Sequence, residues 1–253
     1  MKYLKKKNTI SSWIGIVGMI LIWQILAMIT DKNVFPSFFT VLTAFILHIK
    51  VIFIHTLYSS YRLFAGVLLA VCIGMPTGIL IGYYKKLSYF FSPIIYFIAP
   101  IPKIALLPLI MLLFGIGDVS KIFIIFIIMY FQVVVAAHDA VKNISKDYFI
   151  PLRTVQAGNK AILTQIVFPA ALPEMFTSIR IGLATGISVL FFAETFGTVW
   201  GLGFYIMDMW MRLDYSQMYA GILVLGLLGL TSVNIVNCLQ RNICPWINTD
   251  NVD

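Results

Sequence analysis

Charge is what this sequence has least of. Of its 253 residues 11% are charged, against about 25% in a soluble domain, so the chain cannot cover its own surface with ionised groups. Histidine and cysteine are scarce too, three of each. The spacing of Cys72, Cys238 and Cys244 fits neither a disulfide framework nor a zinc site. His48, His55 and His138 are scattered, and no motif joins them to carboxylates. A metal-dependent or cofactor-dependent enzyme therefore has no foundation here, and no nucleophile–base arrangement stands in for one. Internal repeats, low-complexity tracts and interdomain linkers are lacking as well, so residues 1–253 read as one domain.

What is there is hydrocarbon. Sixty per cent of the residues are apolar and the mean hydropathy is +0.95. Uninterrupted or nearly uninterrupted apolar runs cover residues 10–30, 63–84, 87–117, 122–137, 181–198 and 215–240. Runs near 20 residues match the thickness of a bilayer. Backbone polar groups in lipid must be satisfied within the segment, which makes the runs helices. The fold class is accordingly an all-α membrane protein with six transmembrane helices. The basic start, Met1-Lys-Tyr-Leu-Lys-Lys-Lys, resembles a secretory signal, but the run behind it is too long and no small-residue cleavage site follows. It is expected to stay as the first helix.

The net charge of +8 reports topology. With the N-terminus inside, the inner segments hold Lys2, Lys5, Lys6, Lys7, Lys85, Lys86, Lys142, Lys146, Arg153, Lys160, Arg180 and Arg241, while the outer ones hold Lys32, Lys50, Lys121 and Arg212. That asymmetry is the positive-inside pattern, with both termini cytoplasmic, and it argues against nucleic acid as a partner. Tyr58, Tyr61, Tyr83, Tyr84, Tyr89, Trp200, Tyr205 and Trp210 fall at span ends, as an interfacial aromatic belt does.

Local patterns refine this picture. Residues 38–54, carrying His48 and Lys50, are too polar to span and read as an interfacial helix on the outer side. Gly74, Gly78 and Gly82 lie on one helix stripe, as do Ser178, Gly182 and Gly186. Such spacing serves close helix packing or a hinge. Pro93, Pro100, Pro102 and Pro108 break the third run into two helical pieces, lining a pathway or forming a re-entrant element. The longest polar interval, about 138–177, reads as two short amphipathic helices on the inner face. They carry a stripe of Leu152, Val155, Ile162 and Ile166, reverse at Ala157-Gly158-Asn159 with Gly158 at positive φ, and are closed by Pro169 and Pro173. Three ionisable groups fall at membrane depth. Glu194 either pairs with a cation, gates the pathway or accepts hydrogen bonds at a helix contact, and Lys103 and Arg62 either line the pathway or snorkel outward or to a neighbouring carbonyl.

The residues resemble a family. Pro100-Ile-Pro-Lys-Ile-Ala-Leu-Leu-Pro-Leu109, continuing to Phe114-Gly-Ile-Gly-Asp-Val-Ser-Lys121, is similar to the third-span region of ABC importer permeases, most of all the nitrate/sulfonate/taurine-type branch. Pro76-Thr-Gly-Ile-Leu-Ile-Gly82 resembles the second span. Ala193-Glu194-Thr-Phe-Gly197 with Gly201-Leu-Gly203 resembles the end of the fifth, and Ile162-Leu-Thr-Gln-Ile-Val-Phe-Pro169 the closing half of the inner coupling loop. The family's Glu-Ala-Ala would fall at Ile150-Pro151-Leu152 and its turn glycine at Gln156, so the acidic anchor is absent and the turn reads as shifted. The resemblance implies a type I importer bundle in the cell membrane and a second permease copy. It further implies a partner ABC ATPase dimer gripped by Leu152, Val155, Gln156, Ala157, Gly158, Asn159, Ile162 and Pro169, and an extracytoplasmic binding protein that delivers a small solute such as a sulfonate, nitrate or taurine. The chain has no Gly-x-x-x-x-Gly-Lys-Ser/Thr loop of its own to cradle phosphates, which agrees with a separate ATPase. An ion-coupled secondary transporter is the alternative, with Glu194 as its proton site.

Overall fold

The computed structural model describes residues 2–30 and 34–247, and its regular elements are helices throughout. Residues 1, 31–33 and 248–253 lie outside the described residues, and with them Lys32, which the charge pattern counted as outer. The chain opens on α1 (Lys2–Ile29). The Ser37 hydroxyl then accepts the Thr40 amide at 3.2 Å and caps α2 (Phe38–Leu47). α2 stops at His48, and Ile49 already opens α3 (Ile49–Tyr83). The interfacial helix expected over 38–54 is therefore shorter, and the second span begins well before residue 63. The polar residues carried by this early part of α3, His55, Ser59 and Arg62, are buried between helices and do not meet lipid.

α4 (Lys85–Ile98) is followed by a break, a 3-10 turn over Lys103–Leu106 and α5 (Leu107–Phe114). The two pieces are bent 83° to one another, as the proline pattern required. Pro100 and Pro102 supply no amide hydrogens to the carbonyls four residues back, so the helical ladder lapses here although Ala99 itself keeps helical dihedrals. Next come α6 (Asp118–Lys142), a 3-10 turn over Lys146–Phe149 and α7 (Ile150–Thr154). α8 (Asn159–Ile162) runs through a π turn over Leu163–Val167 into α9 (Phe168–Glu194). α10 (Leu202–Met211) and α11 (Tyr215–Ile243) complete the bundle.

Two expectations about the polar interval are corrected. Pro169 and Pro173 do not end a short helix: residues Asn159–Glu194 form one continuous rod of 36 residues. The π turn widens the backbone just ahead of Pro169, where its ring would otherwise collide with the preceding turn. The interval outside the long helices accordingly shrinks to residues 143–158. α3, α6, the α8–α9 rod and α11 are each long and apolar enough to cross a bilayer, and the bent α4–α5 pair is either a broken fifth span or a re-entrant loop. The apolar section of α1 described here, Val17–Ile29, is shorter than that.

α3 and α6 form the central seam. A Cβ on Gly78 would sit 2.5 Å from the Val134 carbonyl oxygen, and one on Gly82 2.9 Å from that of His138. One on Gly74 would lie 3.2 Å from the Tyr130 carbonyl oxygen. Gly182 of α9 meets the Met129 and Gln132 side chains of α6 nearly as closely, whereas a Cβ on Gly186 would make ordinary contacts. The main core joins α3, α6, α9, α10 and α11 through residues such as Leu63, Ile125, Met129, Leu183, Leu190 and Leu202. A second core sits where the 143–158 segment leaves the bundle, called here the loop end, with Ile79, Ala137, Val141, Ile162, Val167 and Met175.

Candidate functional site

At the far end of the bundle, away from the loop end, three charged residues converge from three helices. Arg62 of α3 places Nη1 2.7 Å from Glu194 Oε1 and Nη2 2.6 Å from Asp118 Oδ1. Nε also donates to Asp118, Nη1 to the Trp200 carbonyl and Nη2 to the Thr198 hydroxyl. All five guanidinium hydrogens thus have acceptors, which is the full capacity of the group. Glu194, fully buried, also accepts from Ser59 Oγ at 2.8 Å and from the Gly203 amide at 2.9 Å. The Leu202 amide donates to Ser59 Oγ at 2.7 Å.

The glycines of Gly201-Leu-Gly203 make this approach possible. Gly201 holds φ at +128°, and a Cβ there would collide with the Glu194 carboxyl; one on Gly203 would meet the Phe191 carbonyl oxygen at 2.5 Å. The expectation that Arg62 snorkels is overturned, because the acids that hold it arrive from helices distant in sequence. Asp118, Ser59 and Thr198 were missed as members of the cluster. The signal for Asp118 was its place in the first turn of a helix, where the dipole favours an anion.

Lys103 does not join them. Its buried ammonium donates to the carbonyls of Ile98, Ala99 and Ile101 at 3.1, 2.8 and 3.2 Å, and lies 4.9 Å from the Phe131 ring centroid. It therefore caps the broken end of α4, adding to the Ile101 amide at the Ile98 carbonyl and serving those of Ala99 and Ile101. Lys121, assigned from the sequence to an outer segment, is also fully buried and does the same for Ile116 and Gly117.

Beside the α4–α5 break opens a cavity of about 650 Å³ between α6 and α9, lined among others by Lys103, Gln132, Asp139, Glu174, Ser178 and Thr185. At its loop end α4 and α6 share a polar cluster that sequence reading missed. Ser92 Oγ lies 3.0 Å from His138 Nε2, His138 Nδ1 lies 2.9 Å from Asp139 Oδ1, and the Tyr96 hydroxyl donates to Asp139. The sequence signal was the four-residue spacing of Ser92 and Tyr96, which puts both on one helix face.

In the 143–158 segment the turn falls elsewhere than expected. Gln156 takes φ +53°, while Gly158 is extended at φ −68°. The Ala157 amide donates to the Leu152 carbonyl at 2.9 Å, the six-to-one bond of a Schellman cap with Gln156 as its left-handed residue. Reversal thus occurs at Gln156, the position where the family's turn glycine would stand, and the turn is not shifted. The apolar stripe is exposed at Val155 and covered at its other positions. Ile162 is buried and Leu152 half-buried in the loop-end core, Ala157 is half-buried, and Pro169 lies in the first turn of α9. Val155, 70% exposed, stands out with Tyr148 and Ile150, and Asn159 accepts from the Tyr83 hydroxyl at 3.2 Å.

A helical bundle with a lysine-capped broken helix beside a lateral cavity has the architecture of a transporter's membrane subunit. Residues 74–249 match the family described as binding-protein-dependent transport system inner membrane component, and the chain belongs to that family. It is 32% identical over 192 residues to the taurine transport system permease protein TauC of Escherichia coli, covering 76% of this chain and 70% of the relative. It is 29% identical over 199 residues to the bicarbonate transport system permease protein CmpB of Synechococcus elongatus, covering 78% and 70%. The fold is shared with an inward-facing structure of the MetNI methionine ABC transporter, at TM-score 0.66 and 17% identity over 77% of this chain and 97% of that one. The chain is thus a permease subunit of an ABC transporter, a multi-pass protein of the inner membrane.

Proposed function

We propose that this chain is the non-catalytic, membrane-spanning half of an importer in which two permease copies enclose the pathway. A separate ABC ATPase dimer docks at the loop end, and an extracytoplasmic binding protein delivers a small solute of the sulfonate, nitrate or taurine kind. In this reading α1 is the sixth span, both termini and the loop end are cytoplasmic, and residues 1–253 act as one domain in the lipid bilayer. Val155, with Tyr148 and Ile150 beside it, is the observation that carries the proposal. These side chains lie outside the apolar spans, so lipid does not cover them, and an exposed apolar group of that kind fits a partner's groove. Lys142, Lys146 and Lys160 flank the same segment and support its cytoplasmic placement.

The alternative of an ion-coupled carrier loses its main support, since every Glu194 oxygen is already held by Arg62, Ser59 or Gly203. The test is a disulfide crosslink between Val155→Cys and a cysteine in the ATPase groove, with Asn159→Cys challenged in intact cells by an impermeant thiol reagent. The expected result is a crosslink and no labelling. Labelling from outside, or no crosslink at Tyr148, Ile150 or Val155, would refute the docking reading.

A further inference from the structure

On the side of α9 that faces α11, the loop end opens a second crevice of about 640 Å³. We propose that it holds the phosphate of an anionic phospholipid, a bound lipid separate from the transported solute. The inference rests on the cytoplasmic placement of the loop end in the importer reading above, which sets the crevice against the inner leaflet.

Thr177 and Arg180 of α9 line it together with Asn237, Gln240 and Arg241 of α11. Arg180 Nη1 donates to the Asn237 amide oxygen at 3.1 Å and to that of Gln240, and Nη2 donates to the Thr177 hydroxyl at 2.8 Å. All three acceptors are neutral. A guanidinium has five hydrogens, so one on Nε and one on Nη2 have no acceptor among the described residues. The amides and the hydroxyl thus fix the half-buried fork in place without neutralising it. Arg241, exposed in the last turn of α11, has no ion pair among the described residues either. Glu174, exposed on the same wall, pairs with neither arginine, and two cations against one acid leave the crevice net positive. An acceptor-only group that takes the planar fork and carries charge fits such a place, and phosphate is that group.

Depth makes the phosphate a lipid's. Leu223, Leu227 and Leu230 are exposed, and they recur with Asn234, Asn237 and Arg241 at alternating spacings of four and three, which is one face of α11. Leu230 stands next to the middle of this 29-residue helix. Arg241 follows it by eleven positions, about 16 Å along the axis, and half the hydrocarbon core is about 15 Å. The leucines therefore lie at acyl-chain depth and Arg241 at headgroup depth. Trp246, exposed just beyond, falls where interfacial aromatics sit. A basic pocket between membrane helices at the cytoplasmic rim has the chemistry of a headgroup site.

The experiment titrates the purified complex in detergent with phosphatidylglycerol, phosphatidylcholine or inorganic phosphate, and counts bound lipid by native mass spectrometry. Phosphatidylglycerol is expected to bind about tenfold more tightly than phosphatidylcholine. Arg241→Gln should cut that preference about fivefold, the weight of one arginine beside an anionic headgroup. Arg180→Gln should cut it at least as far. Where Arg180→Gln lowers the yield of folded complex, Arg241→Gln carries the test, since that side chain holds no other element in place. Lys86→Gln deletes an exposed charge at the same end but outside the crevice, and should leave the preference unchanged. A wild type without preference overturns the proposal, as does a preference that Arg241→Gln does not move. Equal loss in Lys86→Gln would show diffuse attraction, and displacement of the lipid by inorganic phosphate at equal concentration would assign the crevice to a soluble anion; either result overturns it too. Detergent removes the distinction between leaflets, so these outcomes do not depend on topology. Labelling of Asn159→Cys from outside would instead overturn the cytoplasmic placement and leave the headgroup binding standing.

Discussion

Arg62 Nη1 lies 2.7 Å from Glu194 Oε1, and neither residue is more than 2% exposed. The contact spans 132 positions of sequence and ties the middle of α3 to the end of α9. With Asp118 on the other side of the guanidinium, it clasps α3, α6 and α9 together at the far end. The loop end is held differently, by a small apolar core and the glycine seam between α3 and α6. A bundle built this way has a buried ion-pair clasp at the far end, and apolar packing with neutral and partly exposed hydrogen bonds at the loop end.

Removing one partner of the clasp should cost far more than removing both. Arg62→Ala leaves Glu194 buried without its cation and is expected to destabilise the folded chain by about 3–5 kcal/mol. Arg62→Ala combined with Glu194→Ala should recover a substantial part of that loss. Thermal unfolding of the purified complex in detergent measures both, and a double mutant as unstable as the sum of the singles would refute the coupling.

The seam between α3 and α6 sets a second expectation. A Cβ on Gly78 would press on the Val134 carbonyl oxygen and on Ala137, both parts of a helix that cannot yield as a long side chain would. Gly78→Val is expected to force the helices apart and cost about 1–3 kcal/mol of stability, with uptake lost accordingly. Gly186→Ala meets only ordinary contacts and should leave yield and melting temperature close to wild type. Equal behaviour of the two variants would contradict the seam.

Much of this fold was legible in the sequence, because apolar run length and proline position act locally. The break in the third apolar run followed from Pro100 and Pro102, and the glycine stripe from four-residue spacing. What stayed hidden was tertiary. Arg62 read as a snorkelling cation because its acids, Asp118 and Glu194, are distant in sequence, and no local signal pairs them. The start of α3 was missed because His48 and Lys50 read as too polar for a span, whereas the helix begins at Ile49 and its next polar residues, His55, Ser59 and Arg62, are shielded by other helices. Gly158 attracted the turn on propensity, yet the Schellman bond from Ala157 to Leu152 fixes the left-handed residue at Gln156.

That turn yields a prediction opposite to the one propensity suggests. Gln156 holds φ +53° with a side chain, a conformation that costs a non-glycine residue about 1–2 kcal/mol. Gln156→Gly should relieve part of that strain and raise the melting temperature. Gly158 is extended with open space where a Cβ would go, so Gly158→Ala should be silent in both melting and uptake. Destabilisation by Gly158→Ala, with no gain from Gln156→Gly, would show that the chain reverses at the glycine instead.

Lys103 offers the clearest separation between a structural cation and a solute-binding one. Its three hydrogen bonds all end on carbonyls at the α4 break, where Pro100 and Pro102 supply no amide donors. Lys103→Met keeps the length and apolar stem of the side chain while deleting every donor. Taking this donor from the Ala99 and Ile101 carbonyls, while Ile98 keeps the Ile101 amide, should lower stability by about 1–3 kcal/mol. The bend between α4 and α5 should loosen with it, and maximal uptake rate should fall while the solute concentration for half-maximal uptake stays near that of the wild type. Lys103→Arg, which still donates to the same carbonyls, should restore most of the melting temperature. A lysine that held an anionic solute would behave the other way: Lys103→Met would leave melting unchanged and raise the half-maximal concentration. Thermal unfolding and uptake kinetics on the same two variants therefore decide whether the one charged nitrogen in the cavity wall belongs to the backbone or to the cargo.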